Sequence, residues 1–141
     1  MTQKELEQEW ARYKYWVMGK SHQAYREIRA LFKDNQVVDP AIFNEKIAAL
    51  KDQALSIKNE INALEHVWGY FKKTADHKTK ARFFKALEAF RAEKMPLVEV
   101  KAILYELAQT HQETYLLDSY YFKEFKDKEV NDEKMVASSK K

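Results

Sequence analysis

Apolar residues recur along the chain at helical spacing, and the breaks between these runs predict about five helices. Thr2 followed by Glu5 is a capping-box pattern and predicts the start of the first. Within it Trp10, Tyr13, Val17, Ala24, Ile28 and Leu31 fall near one stripe, with Tyr25 and Phe32 beside it, and that stripe is expected to face inward. The opposite stripe holds Arg12, Tyr15, Gly19, His22, Arg26, Arg29 and Lys33, so it is basic with an aromatic in it. Glycine inside a helix costs about 1 kcal/mol relative to alanine. Gly19 therefore signals a bend or a close approach, and the first helix is expected to divide there into two pieces.

Asp34 to Val38 reads as a connection, after which Asp39-Pro40 predicts a second helix, Pro40 to Leu55, with Ile42, Phe43, Ile47 and Leu50 inward. A third, Asn59 to Thr74, turns Ile61, Leu64, Val67, Trp68 and Phe71 to the core. Its other face carries Asn62, His66, Gly69, Tyr70 and Lys73 over successive turns. Asp76 starts a fourth, which buries Phe83, Phe84, Leu87 and Phe90 and stops at Met95-Pro96, because the residue before proline is pushed out of helical angles. The fifth, Pro96 to Gln112, buries Leu97, Val100, Ile103, Leu104 and Leu107. The aromatic run from Tyr115 to Phe122 is expected to fold back onto the bundle. The expected organisation is one all-α domain over residues 1–125 and a mobile tail over 126–141, where apolar groups are few.

Composition agrees with this reading. Two Gly and two Pro in 141 residues leave little for turns and sheets, while 45% hydrophobic content supplies a core. Cysteine is absent, which excludes disulfides, thiolate nucleophiles, Cys-ligated zinc and an iron–sulfur cluster held by this chain. No apolar run approaches the roughly 20 residues that cross a bilayer, and the start of the chain is acidic and polar, so the expectation is a cytoplasmic protein.

The net charge of +3 conceals a segregation. From Trp10 to Lys33 six basic residues face the single acid Glu27, and from Phe71 to Lys94 eight face Asp76, Glu88 and Glu93. Clustered cations are what a polyanion requires, since phosphate binding is driven by counterion release. Solvated helix faces carry similar charge, so the two readings stand level here. Gly19 and Gly69 alone cannot form a glycine-rich phosphate loop, no His-Glu-x-x-His helix occurs, and His22, His66, His77 and His111 are scattered. No catalytic set, metal site or cofactor is expected. Asn62, His66, Tyr70 and Lys73 together offer stacking, hydrogen bonding and phosphate neutralisation, by which unpaired RNA bases are held. The competing and favoured reading of His66 is an imidazole paired with Asn62 or with backbone inside the bundle. Trp16 and Trp68 read as packing residues.

The run Tyr13-Lys14-Tyr15-Trp16-Val17-Met18-Gly19-Lys20-Ser21, with Tyr25-Arg26-Glu27 after it, resembles the opening motif of the YbgA-like domain, a bacterial domain of unknown function. Asn62-Ala63-Leu64-Glu65-His66-Val67-Trp68-Gly69-Tyr70-Phe71-Lys72-Lys73 resembles that family's central Asn-x-Leu-x-His-x-x-Gly-Tyr-Phe-Lys signature. Pro96-Leu97 and Tyr115-Leu116 fall where later landmarks would, so the resemblance runs from about Trp10 to Phe122. The family usually has Gln near Ser119, and this chain does not. Similar domains also occur fused behind a cysteine-ligated iron–sulfur desulfidase acting on thiolated uracil or thiouridine in transfer RNA. Without cysteine, that activity does not carry over; RNA or nucleotide binding is what the resemblance implies.

Three readings follow. The first is a non-catalytic RNA-binding module, for structured RNA such as transfer RNA, contacting it through Arg12, Tyr15, His22, Arg26 and Arg29 and through Asn62, His66, Tyr70, Lys72 and Lys73. The second is an adaptor that docks a separately encoded desulfidase or other enzyme through the C-terminal aromatic run. The third is a small-molecule enzyme built around Asn62, His66 and Tyr70, which requires a concave pocket there. Oligomeric state is open.

Overall fold

Capping explains where the helices begin. Thr2 accepts from the Glu5 amide while the Glu5 carboxylate accepts from the Thr2 amide, and this capping box opens α1 (Gln3–Lys20). Ser21 leaves helical angles at φ −160°, and its hydroxyl accepts from the Ala24 amide to start α2 (His22–Leu31). Asp39 caps α3 (Pro40–Lys51), Ser56 caps α4 (Ile57–Trp68) and Asp76 caps α5 (His77–Arg91). After Pro96 come α6 (Leu97–Thr110), α7 (Thr114–Asp118), a 3-10 turn at Tyr120–Phe122 and α8 (Lys123–Ser139). These assignments come from a computed structural model that describes residues 1–139, apart from the side chains of Asn35 and of residues 134–139.

The all-α expectation holds, with eight α-helices among the described residues rather than five. The first predicted helix divides at Ser21, two residues beyond the glycine that signalled the break. The third is shorter than predicted, because Gly69 caps α4 and the chain continues in turns to Thr74. The C-terminal aromatic run does fold back, as α7 and the 3-10 turn, with Leu116, Tyr121 and Phe122 fully buried. The segment read as a mobile tail is helical over its described part, and residues 140 and 141 lie outside the described residues.

One apolar core joins the helices α1 to α7 and the 3-10 turn at Tyr120–Phe122. Its aromatic weight lies in Phe43, Phe71, Phe83, Tyr121 and Phe122, and Trp68 stacks on Phe83 with ring centres 4.7 Å apart. α4 lies along α1 more extensively than any other pair of elements, while the 3-10 turn packs on α1 from another side. α1 is thereby buried on two faces. Tyr15 and Gly19, expected opposite the core, are inside it. Ile42 and Phe84 are corrected the other way, to exposed positions, and Phe84 lies edge-on against Trp68.

Candidate nucleic-acid interface

The helical register of α4 sends Ile61, Leu64, Val67 and Trp68 into the core, which leaves Asn62 at the edge facing α2 and His66 in solvent. Asn62 Nδ2 lies 3.3 Å from Nδ1 of His22. About two turns further along the crossing, the Tyr15 and Tyr70 hydroxyls are 3.0 Å apart. The two motif segments, forty and more residues apart in sequence, thus form a single seam. The expected pairing of His66 with Asn62 is overturned, because the Asn62 amide turns to His22.

Tyr115, from α7, completes the seam. Its ring stacks on Tyr70 at 6.4 Å and 12°, meets Tyr15 edge-on, and its hydroxyl donates to the Ala11 carbonyl at 2.8 Å. Burial pushes the Tyr115 phenol up to about 12, with Tyr70 and Tyr25 adding to the shift. Burial, then the bond to Tyr70, raises Tyr15 further still. These phenols stay neutral, and they act as rigid stacking and hydrogen-bonding surfaces.

Beside the seam run two adjoining grooves that share Trp10 and Arg29. The first, of about 370 Å³, is lined by Trp10, Ala11, Lys14, Tyr25, Arg29 and Tyr115. The second, of about 490 Å³, is lined by Trp10, Arg26, Arg29, Ala30, Phe32 and Lys33. Four cations and several aromatic walls line the pair, and no carboxylate does. The one acid of this stretch, Glu27, faces away and meets Lys46 of α3 at 3.6 Å. Sequence reading placed Trp10 only in the core and gave Lys14 no role; Lys14 sits over the Tyr15 ring at 5.6 Å. Aromatics and cations alternating through Tyr13-Lys14-Tyr15 were the available signal.

The other expected contact residues divide. Arg26, Arg29, Lys72 and Lys73 are exposed, and none has an ion-pair partner among the described residues. Arg12 is engaged: it lies 3.8 Å from Glu9, and hydrogen bonding to Tyr120 holds its guanidinium charged. In the second basic segment Arg82 pairs with Glu106 at 3.1 Å and Arg91 with Glu88 at 3.3 Å, which neutralises part of that charge.

The family described as "Protein of unknown function (DUF1722)" matches residues 14–125. The chain belongs to that family. The match takes in Tyr15, His22, Asn62, Tyr70 and Tyr115, so every residue of the seam of this YbgA-like domain lies within the matched range. No match is found among the curated proteins or the solved structures.

Two other expectations meet the geometry here. None of the five main concavities is lined by Asn62, His66 or Tyr70. For docking through the aromatic run, Tyr115, Leu117 and Tyr120 are partly accessible, the Tyr120 hydroxyl is held by Glu9 at 2.6 Å, and Leu116, Tyr121 and Phe122 are inside. Among the described residues no helix is long and apolar enough to cross a membrane. No group of three or more His, Cys, Asp and Glu that could hold a metal ion occurs among them either.

Proposed function

We propose that this YbgA-like domain is a non-catalytic RNA-binding module, for structured RNA such as transfer RNA. The observation that carries the reading is the pair of adjoining grooves on α1 and α2, in which Lys14, Arg26, Arg29 and Lys33 stand beside Trp10, Tyr25, Phe32 and Tyr115 with no acid in the lining. Cations there neutralise phosphates, and the aromatic walls offer faces on which unpaired bases stack. The neighbouring seam adds the exposed His66 and Tyr70, with Lys72 and Lys73 following them. A folded, pre-ordered wall loses little entropy on binding, which suits an RNA loop presented by a structured molecule.

The test is a titration of the protein into labelled bulk transfer RNA at several salt concentrations. Micromolar binding that weakens steeply as salt rises supports the proposal. Absence of binding at low salt overturns it and leaves the cations as solvated helix faces.

A further inference from the structure

A second concavity, remote in character from the basic grooves, opens where α1, α4, α6, the 3-10 turn and α8 meet. It measures about 410 Å³ and is lined by Trp16, Lys20, Glu60, Leu97, Val98, Lys101, Tyr121 and Glu124. Three of these are polar groups inside the protein. Glu60 and Lys101 are each 5% exposed, and Tyr121 is 1% exposed with a hydroxyl that has no hydrogen-bond partner. A buried hydroxyl without a partner costs about 1–3 kcal/mol, and an ordinary core position would be filled by phenylalanine. Burial raises the Glu60 carboxyl against the pull of Lys101 and Lys20, and burial lowers the Lys101 ammonium against the pull of Glu124 and Glu60. Opposed, desolvated groups in a concavity are a signature that functional sites share with structural ion-pair networks, and here it accompanies the unpartnered Tyr121 hydroxyl.

The arrangement has two poles. Lys101 Nζ meets Glu124 at 3.0 Å and lies 4.1 Å from the centre of the Tyr121 ring, so one of its three donors remains for a ligand. Lys20 Nζ stands over the Trp16 ring at 5.6 Å, at the same mouth. Against these cations stand two carboxylates, Glu60 in the interior and Glu124 at the rim. The wall between is apolar: Trp16, Leu97 and Val98. The formal charges of the lining cancel. A nucleic-acid backbone would meet Glu60 and Glu124, a simple cation would meet Lys20 and Lys101, and a hydrocarbon would leave Tyr121 unpartnered.

We propose that this concavity binds a small zwitterion of the α-amino-acid class, its carboxylate taken by Lys101, Lys20 and the Tyr121 hydroxyl, its ammonium by Glu60 and Glu124, and its side chain by Trp16, Leu97 and Val98. The volume lies within the range of about 300–1,000 Å³ typical of small-molecule sites. The site is independent of the basic grooves, and its test does not involve RNA.

The experiment is thermal unfolding of the full chain with each common L-amino acid at millimolar concentration, followed by calorimetric titration of any that stabilises. Binding to the folded state alone raises the melting temperature by mass action. The expected result is saturable stabilisation by at least one amino acid, with the corresponding amine and the corresponding acid each binding at least about tenfold more weakly. Tyr121→Phe keeps the ring that faces Lys101 and removes only the hydroxyl, and it is expected to weaken binding about tenfold. Glu60→Gln should weaken it as well, through the ammonium pole. If no amino acid shifts the transition, or if a shift survives both substitutions unchanged, the proposal fails.

Discussion

The hydroxyls of Tyr15 and Tyr70 lie 3.0 Å apart, and this one contact ties the opening motif in α1 to the end of the central motif after α4. Tyr15 is buried and Tyr70 is 40% exposed, so the pair marks where the core meets the proposed interface. Either hydroxyl can donate, and each removes the other's polar atom from an apolar setting. Tyr15→Phe and Tyr70→Phe are each expected to cost about 0.5–1.5 kcal/mol in urea unfolding, and the double variant about as much as one of them, because the same bond is lost. Fully additive costs would mean that the hydroxyls act separately.

Substitutions on the proposed RNA surface should separate affinity from stability. Arg26, Arg29 and Lys73 are exposed and have no acid partner among the described residues, so replacing any of them with alanine removes charge without opening a cavity. Each variant is expected to bind transfer RNA more weakly, with the salt dependence reduced by about one unit of log–log slope per lost phosphate contact, and to melt where the parent does. Arg29→Ala should have the largest effect, since Arg29 lines both grooves. Lys128→Ala, on α8, is the comparison and should leave binding unchanged.

The helix count and the site were legible to different depths, for a physical reason. Helix starts are local: Thr2 with Glu5, Asp39 with Pro40, and Asp76 lie beside the amides they cap, so the sequence displays them. Burial is not local. Periodicity assigned α1 one inward stripe, whereas α4 and the 3-10 turn cover it from two sides, and Tyr15 and Gly19 therefore read as surface. The meeting of Glu60, Lys101 and Tyr121 was out of reach for the same reason, although Tyr121 reads as part of the aromatic run. Lone polar residues on three elements show no pattern until the fold brings them to one concavity. The Asn62–His22 contact was equally out of reach, although both residues had been singled out.

Glu60 gives the fold a pH signature whose sign follows from its burial. Its pKa in the folded state is raised above the ordinary value of 4.5, with burial the main cause and Lys101 and Lys20 opposing it. The folded protein therefore holds this proton more tightly than the unfolded chain. The resulting stabilisation is complete below the ordinary carboxyl value and is lost as pH rises through the raised one. Glu60→Gln keeps the shape and discards the charge, and Lys101 retains Glu124 at 3.0 Å. The variant is expected to melt above the parent near neutral pH, with the gap closing as the solution is brought toward pH 4.5. A gap of constant size across that range would show that the Glu60 charge is not what separates the two.

Gly19 is the position at which helix propensity and packing oppose each other most directly. It lies in the last turn of α1 with ordinary helical geometry, so backbone freedom is not what it supplies. A methyl built there collides with the Glu60 carboxylate, which lies across the bare Cα. Taken alone, glycine to alanine in a helix should stabilise by about 1 kcal/mol. Here the methyl must drive Glu60 toward the cavity, and overpacking of a fitted site typically costs about 1–3 kcal/mol. Gly19→Ala is therefore expected to bring no gain, and a loss of up to about 2 kcal/mol, in the parent background. In a Glu60→Ala background the obstacle is gone, and the same substitution should stabilise by up to about 1 kcal/mol. Urea midpoints at constant m-value measure all four proteins. Equal effects in the two backgrounds would show that Glu60 is not what requires glycine at this crossing.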